Sequence, residues 1–210
     1  MGEARRHSFR FVAEYPCLDF VNTKFMTEGG RRTDPLSGFT ALVEWLTESR
    51  LVARKQLQRA SKLSGAGDSA DQVYRSALAL REALLSMVDR IAAGRPVPRA
   101  SLEAINRAIA RRSGSARLVR SAGHFEETIQ LEMKDPTQLI VPIAASASDL
   151  LCRGDLALVK RCANPACGAF FYDTSKNHTR RWCSTTECGN RMRVAAHYRR
   201  RRSGDRGTGH

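Results

Sequence analysis

Apolar residues recur at helical spacing over much of the chain. Phe39, Leu42, Val43, Leu46 and Leu51 form one stripe with Trp45 beside it, and Ser37 stands ahead of it as a candidate N-cap. Helical composition continues through Lys55–Leu63 and stops at Ser64-Gly-Ala-Gly67. The clearest stripe is Val73, Ala77, Leu80, Leu84, Leu85, Val88 and Ile91, which predicts a helix from about Ala70 to Ala93. Gly94 and Pro96 end it. Leu102, Ile105 and Ile109 predict a further helix beginning near Ser101. Asp135-Pro136 opens an apolar helix to Leu151, which Gly154 terminates.

Strand signals are shorter. His7-Ser-Phe-Arg-Phe-Val12 alternates and predicts a short strand, while Ala116–Val119 and Thr128–Glu132 predict a hairpin around Gly123. Pro16–Thr23 is a compact apolar run with Asp19 and Asn22 three residues apart, and Gly29-Gly30-Arg31-Arg32 reads as an exposed loop. No internal repeat is visible. Residues 1–152 therefore read as one helix-rich α+β domain with short strands. After Asp155 the texture changes, with residues 153–202 forming a small cysteine-rich module and 203–210 a polar tail predicted to be disordered.

Composition sharpens the division. The 210 residues are 42% apolar and 27% charged, as in a globular protein. No apolar run is long enough for a membrane span, and MGEARRHSFRF lacks the apolar core of a secretion signal, so the expected compartment is the cytoplasm. The net charge of +14 is unevenly spread, because residues 153–210 carry 13 Lys and Arg against 4 Asp and Glu. Such a concentration favours a polyanionic partner, nucleic acid foremost, over a merely solvated basic face.

The same segment holds the pattern Cys162-x4-Cys167-x15-Cys183-x4-Cys188. Two close pairs separated by a short insert are what a tetrahedral zinc site requires, and clustered cysteines in a cytosolic chain read as metal ligands. Four thiolates leave no open coordination position, so the expected zinc is structural, one per chain. Cys17 and Cys152 lie in apolar runs and read as small buried hydrophobes. Asn164-Pro165 and Gly168 make the first pair a knuckle, Phe170-Phe171-Tyr172 supplies a strand, and Ser184 caps a helix through Arg199. A knuckle, a hairpin and a final helix resemble a treble-clef finger ending in a basic helix. That helix carries Arg191, Arg193, His197, Arg199 and Arg200, and the preceding loop carries Lys176, Arg180 and Arg181. Double-stranded DNA is the expected partner of these residues, with Trp182 and Tyr198 placed to pack or stack. Asn190 can bond a thiolate or a turn, and Arg191 can meet a phosphate or balance the charge of the zinc site.

Arg181-Trp182-Cys183-Ser184 followed by Cys188-Gly189-Asn190-Arg191 resembles the CGNR zinc-finger family, and Leu18-Asp19-Phe20-Val21-Asn22-Thr23 resembles the N-terminal motif of the ABATE domain that accompanies it. The resemblance implies a stress-induced transcriptional regulator with Cys162, Cys167, Cys183 and Cys188 as zinc ligands. The expected function is thus a DNA-binding regulator whose N-terminal domain senses a small-molecule effector or forms a homodimer. Asp19 and Asn22, at helical spacing, are the candidate ligand-binding pair. No catalytic residue is assigned. An enzyme using Asp19, His124, Glu126 and Glu127 has no accompanying nucleophile elbow, phosphate loop or metal motif. The alternative function is an N-terminal enzyme or small-molecule-binding protein whose finger docks RNA or protein.

Overall fold

Pro16 sets the first turn of α1 (Pro16–Val21), and every later residue of that helix is buried. A helix without a solvent face must sit inside the fold. In the computed structural model, which describes residues 9–26, 32–64 and 67–204, α1 packs against helices on one side and the cysteine module on the other.

The helices follow the apolar pattern. α2 (Phe39–Glu48) buries Leu42, Trp45 and Leu46, with the Trp45 ring 4.9 Å from that of Phe20. Gly38, not the predicted Ser37, occupies its N-cap position, and no side chain caps the helix there. α3 spans Arg54–Ser64 and α4 spans Asp68–Ala92, the latter burying Val73, Ala77, Leu80, Leu84, Val88 and Ile91. Gly94 ends α4 in the left-handed region at φ +65°, where its N–H reaches the Ile91 carbonyl and the next N–H reaches Arg90. α5 spans Arg99–Ile109. Asp135 and Gln138 form a capping box over a 3-10 turn at Pro136–Ile140, from which α6 (Val141–Arg153) continues.

Three two-stranded antiparallel sheets complete the described residues. They pair β1 (Phe25–Met26) with β2 (Arg32–Thr33), β3 (Gly114–Ser121) with β4 (His124–Leu131), and β5 (Val159–Arg161) with β6 (Phe170–Tyr172). The helix-rich α+β class is as the sequence indicates. Residues Phe9–Val12 form no strand; they are drawn out by other partners described below, and His7 and Ser8 lie outside the described residues. Gly29-Gly30-Arg31 and residues 205–210 of the tail also lie outside them. No helix among the described residues is long and apolar enough to cross a membrane.

Arg81 on α4 is buried and locks the segment after β2 to α1. Its guanidinium donates two bonds to Asp34, at 2.8 and 2.6 Å, and one to the Thr23 hydroxyl at 2.9 Å. At the other end of the helical layer, Gly154 is required by close approach, not by φ. A Cβ there would lie 2.6 Å from the Leu150 carbonyl oxygen, a backbone atom that cannot swing away. Gly154→Ala is expected to destabilise the protein by about 1–3 kcal/mol, read as a fall in melting temperature at unchanged helical content.

The charge and composition change near Arg153, but the core does not break there. Leu18, Phe20, Leu84 and Leu150 belong to one buried cluster with Val159, Phe170, Phe171 and all four cysteines of the C-terminal module.

Candidate metal centre and nucleic-acid interface

Strands β5 and β6 pair Arg161 with Phe170, and the chain between them turns back as the first cysteine knuckle. Cys162 N–H donates to the Ala169 carbonyl at 2.8 Å and Cys167 N–H to the Asn164 carbonyl at 2.9 Å. Asn164 accepts the Ala166 N–H on its side chain, and Gly168 adopts φ +72°, so the sharp turn uses residues suited to it. The second pair is set by Ser184. Its hydroxyl accepts the Glu187 N–H at 3.1 Å, capping a π-type turn over Thr185–Gly189 that leads into α7 (Asn190–Gly204). Gly189 lies over the Trp182 ring, where a Cβ would make ordinary contact at 3.5 Å.

These turns bring the sulfurs of Cys162, Cys167, Cys183 and Cys188 within 4.8 Å of one another, all four buried. The Cys167–Cys183 and Cys183–Cys188 separations are 3.6 and 3.7 Å. A regular tetrahedron with Zn–S bonds of about 2.3 Å has edges of about 3.8 Å, so the thiols already stand at zinc spacing. Bonds from the Cys183 N–H to the Cys162 sulfur and from the Asn164 side-chain amide to the Cys188 sulfur, both 3.5 Å, orient the ligands. Bonds from Cys167 and Cys183 pull the Cys162 thiol down to about 3, and the same mutual bonding pushes Cys183 up. The site is a structural centre for one zinc. When bound, the metal supplies four-fold anchorage and no open position for chemistry.

The finger is fastened to the helical layer by the N-terminal motif. Asn22 is 3% exposed, and its side chain bonds both polar atoms of the Phe170 backbone, donating to the carbonyl at 2.7 Å and accepting the N–H at 2.8 Å. Asp19 accepts the N–H groups of Val12 and Ala13 at 2.8 and 3.0 Å. Burial raises its carboxyl to about 6 despite those bonds. The Tyr172 N–H donates to the Ala13 carbonyl at 3.1 Å, and Arg10 pairs with Glu187. Phe9–Val12 is thus strung between α1 and the finger, which is why it pairs with no strand. Asp19 and Asn22 do share one region, as their spacing suggests, but Asp19 Oδ1 and both polar atoms of the Asn22 side chain bond backbone groups at this seam.

Arg180 is similarly committed. It donates to the carbonyls of Trp182 (2.9 Å), Val12 (3.2 Å) and Cys183, and its guanidinium stacks 4.6 Å from the Phe171 ring centre. The loop it closes is built on Asp173, a fully buried carboxylate that sequence reasoning missed. Burial alone would raise that carboxyl, but bonds from Lys160 and Ser175 outweigh it and hold it well below the usual range. A lone Asp after an aromatic strand carries no signal for this. Asn164 was legible only as a turn former, whereas it also bonds a ligand sulfur. Asn190 instead accepts from Arg193 at 2.8 Å, in the first turn of α7.

Among the remaining predicted contacts, Lys176, Arg181, Arg191, Arg193, His197 and Arg200 are exposed; the Arg199 side chain lies outside the described residues. Arg181 lies over the half-buried Trp182 at 5.3 Å. α7 contains no acidic residue and packs chiefly on the zinc turn that precedes it, so most of its surface faces solvent. Arg193, His197 and Arg200 follow i, i+4, i+7 spacing and line one face. His124, Glu126 and Glu127 stand exposed on β4, away from buried Asp19, so the enzyme candidates are not brought together. Cys17 is buried, and burial pushes its thiol up to about 12. Cys152, expected to be buried, is exposed in the last turn of α6.

Comparison with known families matches two stretches. Residues 14–154 match the family model ABATE, described as "Putative stress-induced transcription regulator", and residues 159–201 match the CGNR zinc finger. No curated protein matches the chain.

Proposed function

The chain belongs to the ABATE family and ends in a CGNR zinc finger, and from that footing we propose that it is a zinc-dependent transcriptional regulator that binds double-stranded DNA through α7. The observation that carries this reading is the union of a charge pattern with an anchor. An acid-free helix with Arg193, His197 and Arg200 on one face begins two residues after the zinc ligand Cys188. With its side chains an α-helix is about 10–12 Å across, which a major groove about 12 Å wide admits. Arg193, His197 and Arg200 face the duplex, with Lys176 and Arg181 reaching phosphates from the loop, while Arg191 leaves the first turn of α7 on the opposite side. Arg180 serves the same surface indirectly, by holding that loop.

The N-terminal domain acts as the sensing unit. A cavity of about 360 Å³ lies beside the Asn22–Phe170 seam, bordered by Lys24, Phe25, Glu82 and Arg161. A small molecule seated there touches α4, α1 and the finger together, so its binding is felt at α7.

The test is selection of bound duplexes from genomic fragments by the zinc-loaded full chain, followed by affinity measurements over a range of salt. Enrichment of one sequence supports the reading. Binding with no sequence enrichment, and no stronger than that of an unstructured peptide of equal charge, overturns it. In the same titrations Arg193→Ala is expected to weaken binding to all duplexes alike and to lower the salt slope by about one. A base-reading arginine would instead cost about 1–3 kcal/mol on the preferred sequence alone.

A further inference from the structure

The β3–β4 hairpin stands apart from the rest of the fold. Eight residue pairs run from Gly114↔Leu131 to Ser121↔His124, and no other element makes more than marginal contact with it. Two strands without a partner are of marginal stability in water, and large apolar side chains on such an arm gain nothing from facing solvent. Yet Leu118 is 72% exposed and Phe125 62% exposed.

The register explains what these residues have in common. Leu118 pairs with Glu127 and Arg120 with Phe125, and alternation puts all four on the same face. They form a square whose diagonals differ in chemistry. One diagonal is apolar, Leu118 to Phe125. The other is charged, Arg120 to Glu127. Arg120 also leans over the Phe125 ring at 5.1 Å, which keeps it on this face.

We propose that this face is a self-association surface, and that its occupant is the same face of a second copy of the chain. Place a two-fold axis in the plane of contact along the Leu118–Phe125 diagonal. Residues on the axis then meet their own counterparts, Leu118 on Leu118 and Phe125 on Phe125. Residues off the axis exchange, so each Arg120 faces the Glu127 of the other copy. The apolar diagonal is self-matching and the charged diagonal is self-complementary, which is the requirement of an isologous interface. An unrelated apolar partner would leave both charges buried and unpaired. The face is one side of a two-stranded hairpin, so the association is expected to depend on protein concentration.

Sedimentation velocity over a concentration series of the full zinc-loaded chain tests this. The parent protein should shift from monomer to dimer with rising concentration. Glu127→Arg puts two like charges on the diagonal and should weaken the dimer at least tenfold. Arg120→Glu combined with Glu127→Arg restores opposite charges and should recover it. Both positions are exposed, so melting curves should stay those of the parent and separate lost association from lost folding. A parent protein that stays monomeric at the highest concentration overturns the proposal and leaves the face to a different partner. So does a single variant that dimerises like the parent, or a folded double variant that stays as weak as the single one.

Discussion

Cys183→Ser is expected to release the zinc and, with it, to melt the whole protein in place of the finger alone. The reason lies in where the ligands sit. All four cysteines are buried in the same apolar cluster as Leu18, Phe20, Phe170 and Phe171, so the metal is part of the only large core among the described residues. Apparent zinc-binding energies of small fingers are about 10–16 kcal/mol, while whole domains are stable by about 5–15 kcal/mol. Losing the first can therefore consume most of the second. The variant is expected to hold no zinc by metal analysis and to melt more than about 20 °C lower, in one transition. Chelation of the parent should do the same.

The composition break near Arg153 makes the contrary expectation, that the helical domain up to about Gly154 folds by itself. The two differ measurably. A Cys183→Ser protein that keeps a cooperative helical transition at the parent's temperature would favour separable units and count against the shared core.

The reach of the sequence follows from how far each signal travels along the chain. Helices α2, α4 and α6 were legible because an amphipathic stripe is a local pattern, repeated every three to four residues. The zinc site was legible because ligand spacing within each knuckle is fixed by turn geometry and needs no knowledge of the rest. The hairpin was read too short, since its strands expose both faces and its alternation is weak beyond Ala116–Val119. The strand expected over His7–Val12 is absent from its described part for another reason: the Val12 N–H and carbonyl are claimed by Asp19 and by Arg180 of the finger, partners that no local pattern reveals. Arg180 was read as a DNA contact because a cation in a basic run looks like its neighbours. Only the fold shows that its donors face three carbonyls.

Asn22 is the sharpest instance, and its replacement is the second large effect expected. The residue sits in the motif that resembles the family's N-terminal signature, and its spacing from Asp19 suggested a ligand pocket. Its partner is Phe170, 148 positions away. Asn22→Ala removes both bonds at once and leaves a buried carbonyl and a buried N–H on β6 without partners. Each orphaned group costs about 1–3 kcal/mol, which puts the variant about 2–6 kcal/mol below the parent, or about 4–24 °C in melting temperature. Asn22→Asp should be no better. It retains an acceptor for the Phe170 N–H but sets a second oxygen against the Phe170 carbonyl, and it buries a charge. Because Phe170 follows the knuckle by three residues, zinc should also leave the variant faster in a chelator competition. A residue serving only to hold an effector would behave otherwise. Its alanine variant would melt and retain zinc like the parent in the absence of ligand, and that result would remove Asn22 from the seam's support.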